Sequence, residues 1–477
     1  MFFNSLEFLV FFPIVCLVYF MIPSNRWRNL FLLAASYYFY MCWEATYALL
    51  LLSSTSVTYL SGLLINKFRS HSKLFLTLSI GINLSILFFY KYYAFAAENV
   101  TAFMDVLGVA IHVPEFKVLL PVGISFYIFQ ALGYSIDVAR GDIKVERNFF
   151  TYALFVSFFP QLVAGPIERS TNLLRQFYTK HAFDGHKAIE GIQLMLWGFF
   201  LKLVIADRCA MYVNKVYDDL DSYNGGSVLL ASILFCFNLY GDFAGYSYIA
   251  QGCAKVMGFK LMDNFRRPYF FSSSVQDFWK RNHISLTTWF MDYIYYPLVG
   301  SSTQKTWWCF CIFLTFFISG FWHGAAWTYV ICFSIFGLYL VICVLKEKRQ
   351  RQFEKKFNLK NKEWWLWLNR IMTFFLVMLA LIFFRADSLS DGMLCIQKIF
   401  TNPGIPEFRM GEGRRFALIA GVTLVMLFIC EYAIEYKKIT IRENRYTAMY
   451  SLMSCALFLI ILIFGVFDGK VFIYFQF

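Results

Sequence analysis

The sequence predicts an all-α polytopic membrane protein, and three observations carry that prediction. Hydrophobic residues make up 59% of the 477 positions and charged residues only 15%, where ordinary soluble domains carry roughly 25% charged. Apolar runs recur along the whole chain, and several reach about 18 residues or more, the length a helix needs to span a bilayer. The remaining charges gather in short loops between those runs rather than on a continuous face.

Taken in order, the runs fall near 3–22, 29–43, 48–65, 74–95, 118–138, 188–213, 228–258, 307–322, 326–345, 367–386, 416–434 and 449–467. The run at 29–43 is short for a full span, so the reading is eleven or twelve transmembrane helices. The first run, SLEFLVFFPIVCLVYFMI, has no basic region before it and no small-residue cleavage site after it, and reads as a retained span. The loops NKFRSHSK (66–73), RGDIKVERN (140–148), KLMDNFRRPYFFSSSVQDFWKRNH (260–283), KEKRQRQFEKKFNLKNKE (346–363) and YKKITIRENR (436–445) are basic and belong in the cytoplasm. WEAT (44–47), AAENVTAFMD (96–105) and YDDLDSYNGG (217–226) are neutral or acidic and lie opposite. With twelve spans, both termini are extracytoplasmic. FVSFFPQLVAGPIER (155–169) breaks the alternation with Pro160, Gly165 and Pro166, and is expected to be re-entrant, a broken backbone covered by protein or a cavity. No repeat or low-complexity tract divides the chain, so 1–477 reads as a single membrane domain.

The net charge of +13 fits cytoplasmic loops beside anionic lipid better than a nucleic-acid face. The 12 cysteines sit mostly inside apolar runs, without C-x-x-C pairs or His and Cys partners at zinc-finger spacing. They read as buried thiols, with no disulfide framework and no metal site.

Two histidines stand out. In VQDFWKRNHISLTTWFMDYIYYPL (275–298), Val275, Phe278, Trp279, Leu286, Trp289, Phe290 and Tyr293 form one stripe at helical spacing. Gln276, Asp277, Lys280, Arg281, Ser285 and Thr288 occupy the other face. This predicts an amphipathic helix at the cytoplasmic interface or in a groove, with His283 on the inward stripe. A buried histidine there either bonds a carbonyl structurally or serves chemistry. Lys280 and Arg281 suit a nucleotide phosphate or snorkel to lipid headgroups, and Trp279 and Asn282 beside them complete the donor-binding candidates. In SGFWHGAAW (319–327), His323 lies in a stretch from Trp307 to Leu345 without Asp, Glu, Lys or Arg. An ionisable residue at membrane depth is costly and marks a functional candidate, or else a helix–helix contact. If the stretch crosses twice, Gly320 and Gly324 lie near its turn, and Trp322 flanks the imidazole. Asp242, in the otherwise uncharged run 228–252 and flanked by Gly241 and Gly245, either orients a histidine or bonds backbone.

No G-x-S-x-G, H-E-x-x-H, P-loop or dinucleotide fingerprint accompanies these residues. An imidazole without a nucleophilic serine fits an enzyme that deprotonates one substrate so that it attacks another, and acyl transfer from a thioester suits that chemistry.

The segments FFPQLVAGPIER, YGDFAGYSYIAQG, GFKLMDNFRRPY, DFWKRNHISLTTWFMDYIYYPL and SGFWHGAAW, with the opening MFFNSLEFLVFFPI and the closing VFIYFQF, resemble in this order the membrane-bound O-acyltransferase (MBOAT) family. The resemblance is nearest to its bacterial alginate-type branch and runs almost end to end. It implies a ring of transmembrane helices around a central tunnel, entered by a cytoplasmic acyl donor from one side and by the acceptor from the other. It also implies that His323 matches the family's near-invariant histidine and His283 its second motif residue. His323 would be the general base or position the acceptor hydroxyl, and His283 would orient the donor or stabilise charge on its carbonyl. Asp242, Asp292, Trp322 and Gln161 would be tunnel or structural residues. The implied donor is acetyl-CoA, without a metal, in a bacterial cytoplasmic (inner) membrane. The acetyl group would pass to an extracytoplasmic polysaccharide or to a separate SGNH-type acetyltransferase partner. The chain departs from the family where Arg281-Asn282-His283 replaces Arg-Trp-His, Met291 precedes Asp292, and Tyr248 stands in place of Asp. A D-alanyl transferase using a carrier-protein thioester is the nearest alternative. A proton-coupled secondary transporter is the alternative of another class, weakened because only one broken segment is evident.

Overall fold

The computed structural model describes residues 1–111, 113–114, 116, 120–163, 165–266, 269–359, 362–409, 413–437 and 447–467. The closing VFIYFQF and most of the basic loop at 436–445 lie outside them. The described residues form helices and connecting loops, with no strand among them. The helices are α1 (Leu6–Met21), α2 (Asn25–Met41), α3 (Tyr47–Lys67), α4 (Arg69–Val106), α5 (Ile124–Arg140), α6 (Phe149–Ser157), α7 (Gly185–Tyr217) and α8 (Gly225–Val256). After two short helices, α9 (Val275–Trp279) and α10 (Ile284–Phe290), come α11 (Lys305–His323), α12 (Trp327–Lys356), α13 (Glu363–Arg385), α14 (Leu389–Thr401), α15 (Gly413–Lys437) and α16 (Thr447–Phe464).

Each of the twelve apolar runs contains a helix among the described residues, and the chain is a multi-pass membrane protein. Eight of the described helices are long and apolar enough to cross a bilayer. The others are shorter: α1 has 16 residues, and α2 and α5 have 17 each. At about 1.5 Å per residue they reach only the thin end of a bilayer's hydrocarbon. Helix α1 shows how the sequence is divided between core and lipid: Phe8, Phe12, Val15 and Tyr19 are buried, while Leu6, Val10, Ile14 and Leu17 are more than half exposed.

The residues group into two compact units. The first comprises Met1–Met195 and Ile249–Met262. In it α3 packs on α4 and α5, and α2 on α6. The broken segment expected over 155–169 is present: α6 stops at Ser157, and a one-turn helix, Phe159–Leu162, follows with Pro160 in its first turn. Side chains satisfy the interrupted backbone. Gln161 and Gln130 both donate from Nε2 to the Phe155 carbonyl, at 2.7 and 2.6 Å, and Phe159 N–H donates to Ser36 Oγ at 3.1 Å. Just beyond, the buried Glu168 carboxylate accepts from Met262 N–H and from Asn172 Nδ2.

Burial pushes the Glu168 carboxyl up to about 7 against these bonds. The folded chain therefore holds this proton more tightly than the unfolded one, and stability falls as pH rises from 4.5 through about 7. Glu168→Gln keeps the acceptor oxygen and is expected to flatten that part of the melting-temperature profile. A variant profile parallel to wild type from pH 5 to 7.5 would show that Glu168 does not titrate there.

The second unit comprises Leu196–Tyr248 and the described residues from Asp263 on. Helix α7 carries a π-helical segment at Phe200–Ala206, which turns Lys202 into α8. Glycines make the approach possible: a Cβ on Gly241 would meet Leu201 O at 2.8 Å, and one on Gly245 would meet Gly198 O at 2.8 Å. Lys202 Nζ there pairs with Asp242 at 2.6 Å and Asp207 at 2.7 Å, all three side chains at most 7% exposed. Helices α11 and α12 form the hairpin expected of the double span. Gly320 and Gly324 lie at its turn, where a Cβ would come within 2.7 Å of Val330 Cα and 2.2 Å of the Tyr329 ring.

One sequence reading is corrected. The stretch 275–298 is not a single amphipathic helix, because it breaks between Trp279 and Ile284. The residues 264–266 supply the bonds that a continuous helix would have made: Ile284 N–H donates to Asn264 O at 3.0 Å, and Arg266 N–H to Arg281 O at 3.4 Å. His283 sits at the break in the left-handed region, φ 46° and ψ 51°. Ser285, assigned to the water face by spacing, is fully buried.

Candidate functional site

The second unit brings both candidate histidines together. His323 ends α11, and His283 stands at the N-terminus of α10. Their ring centroids are 6.3 Å apart, and the residues are 4% and 2% exposed. Aromatic rings from four helices enclose them. Phe333 of α12 stacks on His323 at 4.1 Å, Phe384 of α13 lies 5.8 Å from it, and Phe243 of α8 meets His283 edge-on at 4.5 Å. Trp322 touches both, 4.8 Å from His323 and 5.8 Å from His283. Such a wall excludes water, and burial holds the His283 imidazole well below the ordinary histidine range, hence neutral at pH 7.

Beside the pair lies a cavity of about 620 Å³. Trp279, Lys280 and Gln276 line one side, with Arg266 and residues of α10. Thr315, Phe316 and Ser319 of α11 and Leu340 of α12 line the other. Thr315, Ser319 and His323 recur every four residues, so they share one face of α11. The cavity wall thus leads to within one helical turn, about 6 Å, of His323. Lys280 and Arg266 are exposed. Trp279 is buried, packed against Phe316 at 5.1 Å and Phe336 at 5.1 Å, and its indole N–H makes no hydrogen bond among the described residues. This is a volume suited to a drug-sized ligand, with few polar groups placed on apolar walls.

Of the donor-binding candidates, Trp279 and Lys280 lie on the cavity. Arg281 instead bonds Asp277 at 2.9 Å, and Asn282 is absent from the lining. Asp242 is held by Lys202, the partner that sequence spacing did not identify. Asp292 is exposed on the π-helical turn Met291–Tyr295. Gln161 belongs to the other unit, where it closes the broken segment. No group of three or more metal-ligating side chains occurs among the described residues.

Asn264 is the residue that sequence reasoning missed. Fully buried, it accepts at Oδ1 from Ser285 Oγ at 2.9 Å and Ser285 N–H at 3.3 Å, and contacts His283 Nδ1 at 3.1 Å. Its amide donates to Ser247 Oγ at 3.1 Å. Nothing in the local pattern marks it, since its partners lie 17 to 21 residues away.

Residues 139–389 match the family model described as "MBOAT, membrane-bound O-acyltransferase family". The chain is 36% identical to the "Probable alginate O-acetylase AlgI" of Pseudomonas putida, over 91% of this chain and 87% of that one. It is 31% identical to the "Peptidoglycan O-acetyltransferase" of Helicobacter pylori, over 82% and 78%. With the "Teichoic acid D-alanyltransferase" of Bacillus subtilis it shares 29% identity over 56% and 69%.

Proposed function

The chain belongs to the membrane-bound O-acyltransferase family and is a membrane O-acyltransferase, and on that premise we propose that it moves acetyl groups from cytoplasmic acetyl-CoA to an extracytoplasmic polysaccharide. The single observation carrying this reading is the enclosed pair of imidazoles 6.3 Å apart beside the cavity at Trp279 and Lys280. Near-full-length relatives named for alginate and peptidoglycan O-acetylation support acetyl transfer to a polysaccharide, and the relative named for D-alanyl transfer matches a shorter part. The chain acts as one domain of a bacterial inner membrane with both termini outside, and hands the group on directly or through an SGNH-type partner.

In this reading the exposed Lys280 and Arg266 receive the donor's phosphates. The Trp279 N–H serves a carbonyl of its arm, and the thioester lies along α11 toward His323. His323 takes the proton of the acceptor hydroxyl as its oxygen attacks the thioester carbonyl carbon. The C–S bond breaks as the C–O bond forms, and the proton passes to the leaving thiolate, so imidazole and thiol end neutral. His283 orients the donor. The aromatic walls keep water from competing for the thioester.

Purified protein in nanodiscs is expected to exchange label between acetyl-CoA and free CoA. Exchange only with an aminoacylated carrier protein would replace this reading by the D-alanyl alternative. Proton-coupled solute uptake without exchange would replace it by a transporter.

A further inference from the structure

The contact between Asn264 and His283 carries more than packing. Ser285 N–H can only donate, so the Asn264 atom facing it at 3.3 Å is the carbonyl oxygen. That oxygen only accepts. The His283 nitrogen at 3.1 Å from it must therefore bear the hydrogen, which makes Nδ1 the protonated nitrogen and leaves Nε2 with its lone pair. The Nδ2–Ser247 bond holds the amide in this orientation from the other side. The left-handed backbone at His283, rare for a residue with a side chain, is what turns the ring toward Asn264.

We propose that Asn264 is a positioning residue that sets the tautomer of His283, so that His283 serves the transfer as a neutral hydrogen-bond acceptor at Nε2. This rests on the acyl-transfer reading. It removes one of the two roles open to His283 from sequence, because a lone pair cannot stabilise negative charge on the thioester carbonyl. What Nε2 receives is an N–H or O–H group, either an amide of the donor's arm or a second hydroxyl of the acceptor beside the one that His323 deprotonates. His323 of α11 faces this ring, and the elements packed against it also carry Asp242 of α8, held by Lys202, and Asp263 and Arg266 on the loop of Asn264. On its own segment are exposed Lys280 and the Arg281–Asp277 pair.

Asn264→Asp tests the sign of the role. The carboxylate still accepts from Ser285 and His283, and the Ser247 hydroxyl can turn to donate to it. The new charge raises the proton affinity of His283 by about one pH unit or more. If Nε2 must accept, the acid limb of the kcat/KM profile moves up by that amount. A rise confined to KM for the donor identifies the amide, and a fall in kcat identifies the hydroxyl. A gain of activity on the alkaline side overturns the proposal. Should this variant fail to fold, 15N-histidine NMR of the full-length wild type in nanodiscs decides the tautomer independently of activity. With only six histidines, the His283 signal is assigned by its loss in His283→Gln. Expected is a protonated Nδ1 and bare Nε2, and the reverse overturns the proposal. Wild-type protein without acyl exchange but with this tautomer would overturn the function and leave the tautomer standing.

Discussion

His323→Ala is expected to abolish polysaccharide O-acetylation while the protein still accumulates in the membrane. Removing a general base costs about 10² to 10⁴-fold in rate. Here the loss should reach the upper end, because the aromatic enclosure leaves little room for water to replace the imidazole. Folding should survive. The close approach of α11 and α12 depends on Gly320 and Gly324, not on the imidazole, and the stacked Phe333 retains Trp279, Phe336 and Phe384 as neighbours within the cluster. The measurement is acetyl ester content of the polysaccharide at matched protein level, with His323→Asn as the variant that keeps a polar group but no base. Retained acetylation in either variant would sink the assignment of His323.

The sequence made both histidines visible for different reasons. His323 was conspicuous because ionisable groups are expensive in an apolar stretch, and its glycines signalled a helix turn that is present. His283 was conspicuous through the period of its neighbours, and the period worked although the helix is broken there. Phe278, Trp279, Leu286 and Trp289 still bury their side chains on either side of the break, because each short helix keeps its own apolar face. The break itself could not be read locally. It is made by Asn264, 19 residues earlier in the chain than the ring it contacts. The same limit hid the partner of Asp242. A lone lysine among FFLKLVIADR was a signal of the same kind as His323, a charge that an apolar run does not tolerate unpaired. Lys202 and Asp242, each costly alone in an apolar run, together imply the pairing of α7 with α8.

That pairing sets the second large effect. Lys202→Met is expected to prevent stable accumulation, because it leaves Asp207 and Asp242 buried without their counter-charge. Removing one member of a buried pair costs about 3–5 kcal/mol, a large part of a typical domain's total stability of roughly 5–15 kcal/mol. Asp242→Asn should be milder, since Lys202 keeps Asp207 at 2.7 Å. The triple change Lys202→Met, Asp207→Asn, Asp242→Asn removes all three charges and should recover accumulation, measured as membrane-inserted protein and thermal stability in detergent. The consequence reaches the site through one helical step. Asp242 points at α7, and its neighbour Phe243, about 100° around α8, forms the wall against His283 at 4.5 Å. If the triad acts only as a register for α8, the recovered triple variant retains acyl transfer as well as fold. If it folds but no longer transfers, the charges themselves belong to the chemistry. Lys202→Met accumulating at wild-type level with unchanged melting would remove the triad from both accounts.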